Sequence, residues 1–338
     1  MIKTSLKLLA GALALGTQLA AAEPVRLIFD TDLGNDIDDA LALAMIHSLE
    51  TRGDCVLLAT TSTKDHPKSA QLLDAINTFY GRPDVPVGAV QGGATPEEGR
   101  YLKLVDQKTD GKVHYPFDLK DAPNAVKLLR EILSREKDKS VVLTQVGFFT
   151  NYRRLLESKP DDISPLSGKQ LIEKKVKLLS IMAGSFQTIR DNNHYKEYNV
   201  VKDIPSAQVL AKGWPTPIVW SGFEIGISVP YPATSIERDY EYVPHHPIKE
   251  GYYFYNPPPH ERPTWDLTSV LYAVHPDRGY FDLSVRGEVV VEKDGFTRFT
   301  PKKNGRDRFL KLDALKIERV REALVQLSSQ PPRGKVAK

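Results

Sequence analysis

The chain has 338 residues, a formal net charge of +3 and 41% hydrophobic residues, a size and composition that suit one large α/β domain with an ample core. So small a charge imbalance excludes electrostatic attraction to nucleic acid or to membrane surfaces. The single cysteine excludes an internal disulfide, and the apolar run Cys55-Val56-Leu57-Leu58-Ala59 marks Cys55 as a buried structural thiol rather than a nucleophile.

Residues 1–22 read as a secretory signal peptide. Lys3 and Lys7 precede the apolar run from Leu8 to Leu15, and Ala20-Ala21-Ala22 supplies a cleavage site. The apolar run is too short to span a bilayer, so a periplasmic or secreted location is expected. Val25-Arg26-Leu27-Ile28-Phe29 then predicts a buried strand, and the helix formers from Ala40 to Ile46 predict a helix to about Glu50, broken by Gly53.

Between strand and helix lie Asp30, Asp32, Asp36, Asp38 and Asp39, five carboxylates within ten residues. Like charges so close require a positive partner, and a hard cation with oxygen ligands at the tip of an α/β strand would supply it. An EF-hand loop also opens D-x-D, but the twelfth position from Asp30 is Leu41, where a bidentate Glu is required. A haloacid-dehalogenase-like phosphatase continues with Gly-Thr, whereas Leu33-Gly34-Asn35 follows here. The helix macrodipole favours Asp38 and Asp39 but does not account for Asp30 and Asp32.

Further along, Cys55 to Thr61 predicts a second strand. Leu72, Leu73, Ile76 and Phe79 recur at helical spacing, and Asp84 to Ala89 predicts a third strand. Residues 91–120 are polar and irregular, and a helix follows from Asp121 to Arg135. Val141 to Gly147, Val176 to Met182 and Pro217 to Trp220 predict three more strands, with a helix around Ala207 to Lys212 before the last. This alternation argues a mainly parallel central sheet flanked by helices, with ligands at the carboxyl ends of its strands. Residues 230–263, rich in Pro and Tyr, predict a long loop region, followed by a helix from Trp265 to Val274. Val285 to Phe299 predicts a terminal hairpin and Leu315 to Leu327 a closing helix. One domain over residues 23–328 is expected, with a basic, disordered tail over residues 329–338.

Four later segments stand in fixed order behind the acidic stretch: Val146-Gly147-Phe148-Phe149-Thr150-Asn151, Met182-Ala183-Gly184, Glu197-Tyr198-Asn199 with Asp203-Ile204-Pro205-Ser206-Ala207, and Trp265-Asp266-Leu267. Together they resemble the inosine-uridine-preferring nucleoside hydrolase family over nearly the whole chain after residue 22, with two extra residues between the Gly and the D-D-A of the first motif. The resemblance implies a single nucleoside hydrolase-like domain with a Rossmann-like core. It also implies Ca2+-dependent hydrolysis of the N-glycosidic bond of ribonucleosides to free base and ribose. Asp32, Asp39, the Thr150 carbonyl and Asp266 would bind calcium, with Asp32 also the general base. Asp38, Glu197 and Asn199 would hold the ribose, with Asn193 preferred over Asp191 and Asn192 for a further contact. The insertion leaves Asp36 or Asp38 for the inner position, so Asp36 stays among the metal candidates. Lys64-Asp65 replaces the family's Gly-Asn, and Trp265 replaces a His that protonates the leaving base in some members. Trp265 could stack on the base, and His194, His245, His246 and His260 are candidate proton donors. A nucleoside-binding protein without turnover, or a hydrolase of another ribosylated compound, are the alternatives. A dimer or tetramer is expected from the family alone.

Overall fold

A computed structural model describes residues 23–333, so the predicted signal peptide and the last five residues of the tail lie outside the described residues. In chain order, the first half contains β1 (Val25–Thr31), α1 (Asp38–Arg52), β2 (Cys55–Ser62), α2 (Pro67–Phe79), β3 (Val87–Ala89), the small hairpin β4 (Lys108–Thr109) and β5 (Lys112–Val113), α3 (Ala125–Arg135), β6 (Val141–Gln145), α4 (Thr150–Glu157) and α5 (Gly168–Lys175). The second half contains β7 (Val176–Met182), α6 (Tyr198–Lys202), α7 (Ile204–Gly213), β8 (Ile218–Ser221), α8 (Phe223–Ile227), α9 (Ala233–Arg238), α10 (Pro247–Tyr255), α11 (Trp265–Val274), β9 (Asp282–Leu283), β10 (Gly287–Val291), β11 (Thr297–Pro301), β12 (Asp307–Lys311) and α12 (Ala314–Ser328).

The central sheet runs β11-β10-β12-β8-β7-β6-β1-β2-β3. It is parallel from β12 to β3, and β10 and β11 add an antiparallel edge. The chain moves outward from β1 through β2 to β3, then returns to place β6 on the other side of β1. That reversal opens a crevice beyond the carboxyl ends of β1 and β6, where ligands settle in such sheets. The central parallel strands β1, β6, β7 and β8 are mostly apolar because helices cover both faces, and the core accordingly forms two clusters.

The α1 helix is buried from Asp38 to Leu49, between the sheet and helices α11 and α12. Helix propensity, not an amphipathic stripe, marks it in the sequence, because apolar residues such as Leu41, Leu43 and Ile46 cover all its faces. Each such side chain contributes about 1.5–3 kcal/mol by burial. Gly53 closes the helix at φ 78°, a left-handed position that favours glycine.

Three expectations change. Residues 230–263 are not one long loop, since α9 and α10 lie within them. α10 starts at Pro247, the favoured first position of a helix, and is anchored by buried Ile248 and Tyr252. The terminal hairpin does not end the sheet, because β12 inserts between β10 and β8 and runs parallel to β8. The described part of the tail rests on the body, with Tyr242 donating to the Gln330 carbonyl and Arg333 to the Thr51 carbonyl. Among the described residues no helix is long and apolar enough to cross a membrane.

Candidate active site

The crevice holds a cleft of about 460 Å³, within the range of small-molecule sites. Seven carboxylates line it, from Asp32, Asp36, Asp38, Asp39, Glu97, Glu197 and Asp266, against two guanidinium groups, Arg100 and Arg262. The acids arrive from separate elements: the loop after β1, the first turn of α1, the start of α6 and the start of α11. Asp38, Asp39 and Asp266 are brought closest, with one oxygen of each within 4.8 Å of the others. The Asp266 amide donates to Asp38 Oδ2 at 3.1 Å, and Thr31 Oγ1 donates to Asp39 Oδ1. Asp39 Oδ2 is buried and has no hydrogen-bond partner among the described residues.

Burial holds the carboxyls of Asp38, Asp39 and Asp266 well above the usual carboxylate range, and the neighbouring acids push in the same direction. Burial likewise raises Asp30 to about 7 and Asp32 to about 6. A set of oxygen donors with an orphaned buried carboxylate oxygen fits a hard divalent cation, which would favour the ionised forms.

Two side-chain cations stand beside this cluster. Arg262 donates through Nε to both oxygens of Asp36, at 2.9 and 3.0 Å, and through a second nitrogen to Oδ2. Asp36 is therefore held by a guanidinium, whereas Asp38 packs beside Asp39 and Asp266. Lys64, fully buried, donates to Asn35 Oδ1 at 2.7 Å, and Asn35 Nδ2 donates to Asp32 Oδ2 at 2.7 Å. The inserted segment and the Lys that replaces the family's Gly thus meet on one side of Asp32.

Thr150 does not line the cleft. Its hydroxyl donates to Asp203 Oδ2 at 2.6 Å, tying α4 to α7, and the structure does not bring this expected metal ligand to the cleft lining. The carbonyl-bearing residue at the strand tip is Val146, which lines the cleft and accepts Asn199 Nδ2 at 2.8 Å. Gly147 makes that approach feasible. A Cβ there would land on Thr63 Oγ1 and within 2.5 Å of the Asp32 amide nitrogen. Asn151 instead supports β1 from behind, donating to Asp30 Oδ1 at 2.8 Å.

Glu197 and Asn199 both face the cleft from the turn that opens α6. Glu197 accepts the amides of Asn199, Val200 and Gly184 at 2.7, 3.2 and 3.1 Å, and burial raises its carboxyl to about 7. Gly184 sits at φ 76°, where a Cβ would meet Thr297 Oγ1 at 2.7 Å. Asn193 is not brought to this site. It is exposed and borders a different cleft with Phe186 and Phe299.

Trp265 lines the cleft at the first position of α11. Its Nε1 donates to the Phe223 carbonyl at 2.9 Å, its ring lies 5.2 Å from that of Phe223, and Arg262 sits 5.0 Å above it and 5.2 Å from Tyr255. These groups form an aromatic wall beside the acids, joined to Asp36 through Arg262. None of the four candidate histidines lines the cleft. His194 pairs with Asp294, His245 with Glu250 and His246 with Tyr242, while burial and then the Arg262 charge hold His260 below its usual value. Arg262, Tyr255 and Val146 escaped the sequence reading. The clue to Arg262 was available, because five clustered acids need a counter-charge and it is the basic residue nearest before Trp265-Asp266.

The family model for inosine-uridine preferring nucleoside hydrolases matches residues 27–322. No curated protein matches the chain. Among solved structures, a plant nucleoside hydrolase aligns with a TM-score of 0.68 at 20% identity, covering 91% of this chain and 100% of its own. The inosine-uridine preferring nucleoside hydrolase from Bacillus anthracis aligns with a TM-score of 0.67 at 19% identity, over 90% and 99% of the two chains. The type III effector protein XopQ, complexed with adenosine diphosphate ribose, aligns with a TM-score of 0.65 at 16% identity, over 92% and 95%. At these identities the structural likeness is one of fold.

Proposed function

Because the chain belongs to the inosine-uridine preferring nucleoside hydrolase family and is a hydrolase of N-glycosyl bonds, we propose that it cleaves ribonucleosides to free base and ribose with calcium as its cation. The observation that carries this reading is the buried cluster of Asp38, Asp39 and Asp266 facing Glu197 and Asn199 across one cleft.

Asp32, Asp39, Asp266 and the Val146 carbonyl would hold the ion. Calcium there would supply a Lewis-acidic centre for a water molecule and for ribose hydroxyls. Asp32 takes the proton from the attacking water through one carboxylate oxygen, while Asn35, itself held by Lys64, fixes the other oxygen. Asp38, Glu197 and Asn199 hold the ribose hydroxyls, so the sugar is fixed beside the base-accepting carboxylate. The displaced nucleobase lies along Trp265 and Phe223, which exclude water from its face and hold it by stacking. Export through residues 1–22 to the periplasm or medium belongs to the same proposal.

Base release from a panel of purine and pyrimidine ribonucleosides, with calcium and with chelator, tests the reading. Calcium-dependent release from at least one nucleoside is expected, and equal release in chelator overturns the calcium assignment. A second reading, a larger ribosylated substrate, draws on Arg100 and Arg262 at the cleft and on the adenosine diphosphate ribose held by XopQ. Release from such a compound but from no nucleoside would favour it.

A further inference from the structure

A second cluster of ligating side chains lies outside the cleft, and the catalytic reading above does not use it. His114 follows the β4–β5 hairpin, His245 precedes α10, and Glu250 lies in the first turn of α10. One ligating atom from each lies within 4.8 Å of the others. His245 Nδ1 stands 2.8 Å from Glu250 Oε1, and His114 Nδ1 stands 3.7 Å from Glu250 Oε2. The two imidazoles stack with centroids 3.6 Å apart. Two metal–ligand bonds of 2.0–2.1 Å at a tetrahedral angle would place donor atoms about 3.3 Å apart; the histidines reach different glutamate oxygens, at 2.8 and 3.7 Å, and their stacked rings would splay to share one ion.

The second observation concerns His114. Its Nε2 lies 2.7 Å from Thr109 Oγ1, while its Nδ1 is buried with no hydrogen-bond partner. Where Nε2 is the donor to the threonine hydroxyl, the Nδ1 lone pair is left available 3.7 Å from Glu250 Oε2. Metal-binding histidines are oriented in this way, by an outer hydrogen bond from the other ring nitrogen. The cluster also borders a surface cleft of about 370 Å³, which provides an entry path.

We propose that His114, His245 and Glu250 form a binding site for a borderline divalent transition-metal ion such as zinc. Two imidazole nitrogens and one carboxylate suit zinc rather than calcium, so this site differs in chemistry from the all-oxygen cluster in the catalytic cleft. Occupancy pins the β4–β5 hairpin to the start of α10, whose other end carries Tyr255 into the cleft wall.

Calorimetric titration of the chelator-treated protein with zinc, in saturating calcium to fill the oxygen cluster, tests the proposal. One zinc ion per chain is expected. Thr109→Val should weaken binding about 10- to 100-fold by freeing the His114 ring, and His114→Ala or Glu250→Gln should weaken it further. Cobalt in place of zinc should give the visible absorption of a nitrogen-bearing four-coordinate site, lost in His114→Ala. Absence of zinc binding by the unmutated protein leaves only a hydrogen-bonded His–Glu pair and overturns the proposal. Zinc binding that is unchanged in both His114→Ala and Glu250→Gln overturns it equally, because the ion would then sit elsewhere.

Discussion

At Asp32 two neighbours decide what the carboxylate can do. Asn35 occupies one oxygen and is braced by the buried Lys64, which leaves the other oxygen to face the cleft. Asp32→Asn keeps the shape and removes the proposed general base, so the rate of base release should fall about 10²- to 10⁴-fold. A residual rate near that of the unmutated protein would remove Asp32 from that role. Arg262 is the second deciding residue, since it neutralises Asp36 and covers Trp265. Arg262→Ala should leave Asp36 as an uncompensated, partly buried charge beside Asp38 and loosen the wall against which the base lies. A rise in KM of about tenfold or more is expected, with a smaller change in kcat, because a positioning contact is lost rather than the base. A fall in kcat alone would instead place Arg262 in the departure of the base.

The elements explain why residues far apart in sequence converge. β1 and β6 lie side by side at the point where the sheet reverses direction, so the loops that follow them share one crevice. Gly147 permits their contact, and Gly147→Ala should push the tip of β6 off the Asp32 backbone. Overpacking of this kind costs about 1–3 kcal/mol, readable as a lower denaturant midpoint, and should reduce activity with it. An unchanged midpoint with full activity would refute the close-approach argument. The alternation of apolar strands and helices made the sheet legible in the sequence, and the acidic stretch made the site legible, because both signals are local. The pairing of Asp36 with Arg262, more than 200 residues away, was not legible. That Val146 rather than Thr150 borders the cleft was not legible, because backbone direction at a strand tip leaves no side-chain signature. β12 was missed because its burial is interrupted and its partner β8 lies about 90 residues upstream.

For the whole molecule, the clustered acids make stability depend on pH and on the cation together. Burial holds Asp30 at about 7 and Asp32 at about 6 in the folded chain, whereas an unfolded Asp titrates near about 4. Between those values the folded state binds more protons. The stability these groups contribute is therefore fully present below about pH 4 and lost as pH rises through about 6 to 7. Chelator-treated protein should melt at a lower temperature near pH 8 than near pH 5, and calcium should raise the melting temperature more at the higher pH. A calcium-induced gain independent of pH would contradict the linkage between proton loss and ion binding. The most direct measurement of the central claim is a calcium titration of chelator-stripped protein, followed at once by heat and by base release. Rate and occupancy should rise together to one ion per chain, and Asp39→Asn should weaken both in parallel. Full rate at zero occupancy, or occupancy without any gain in rate, would contradict it.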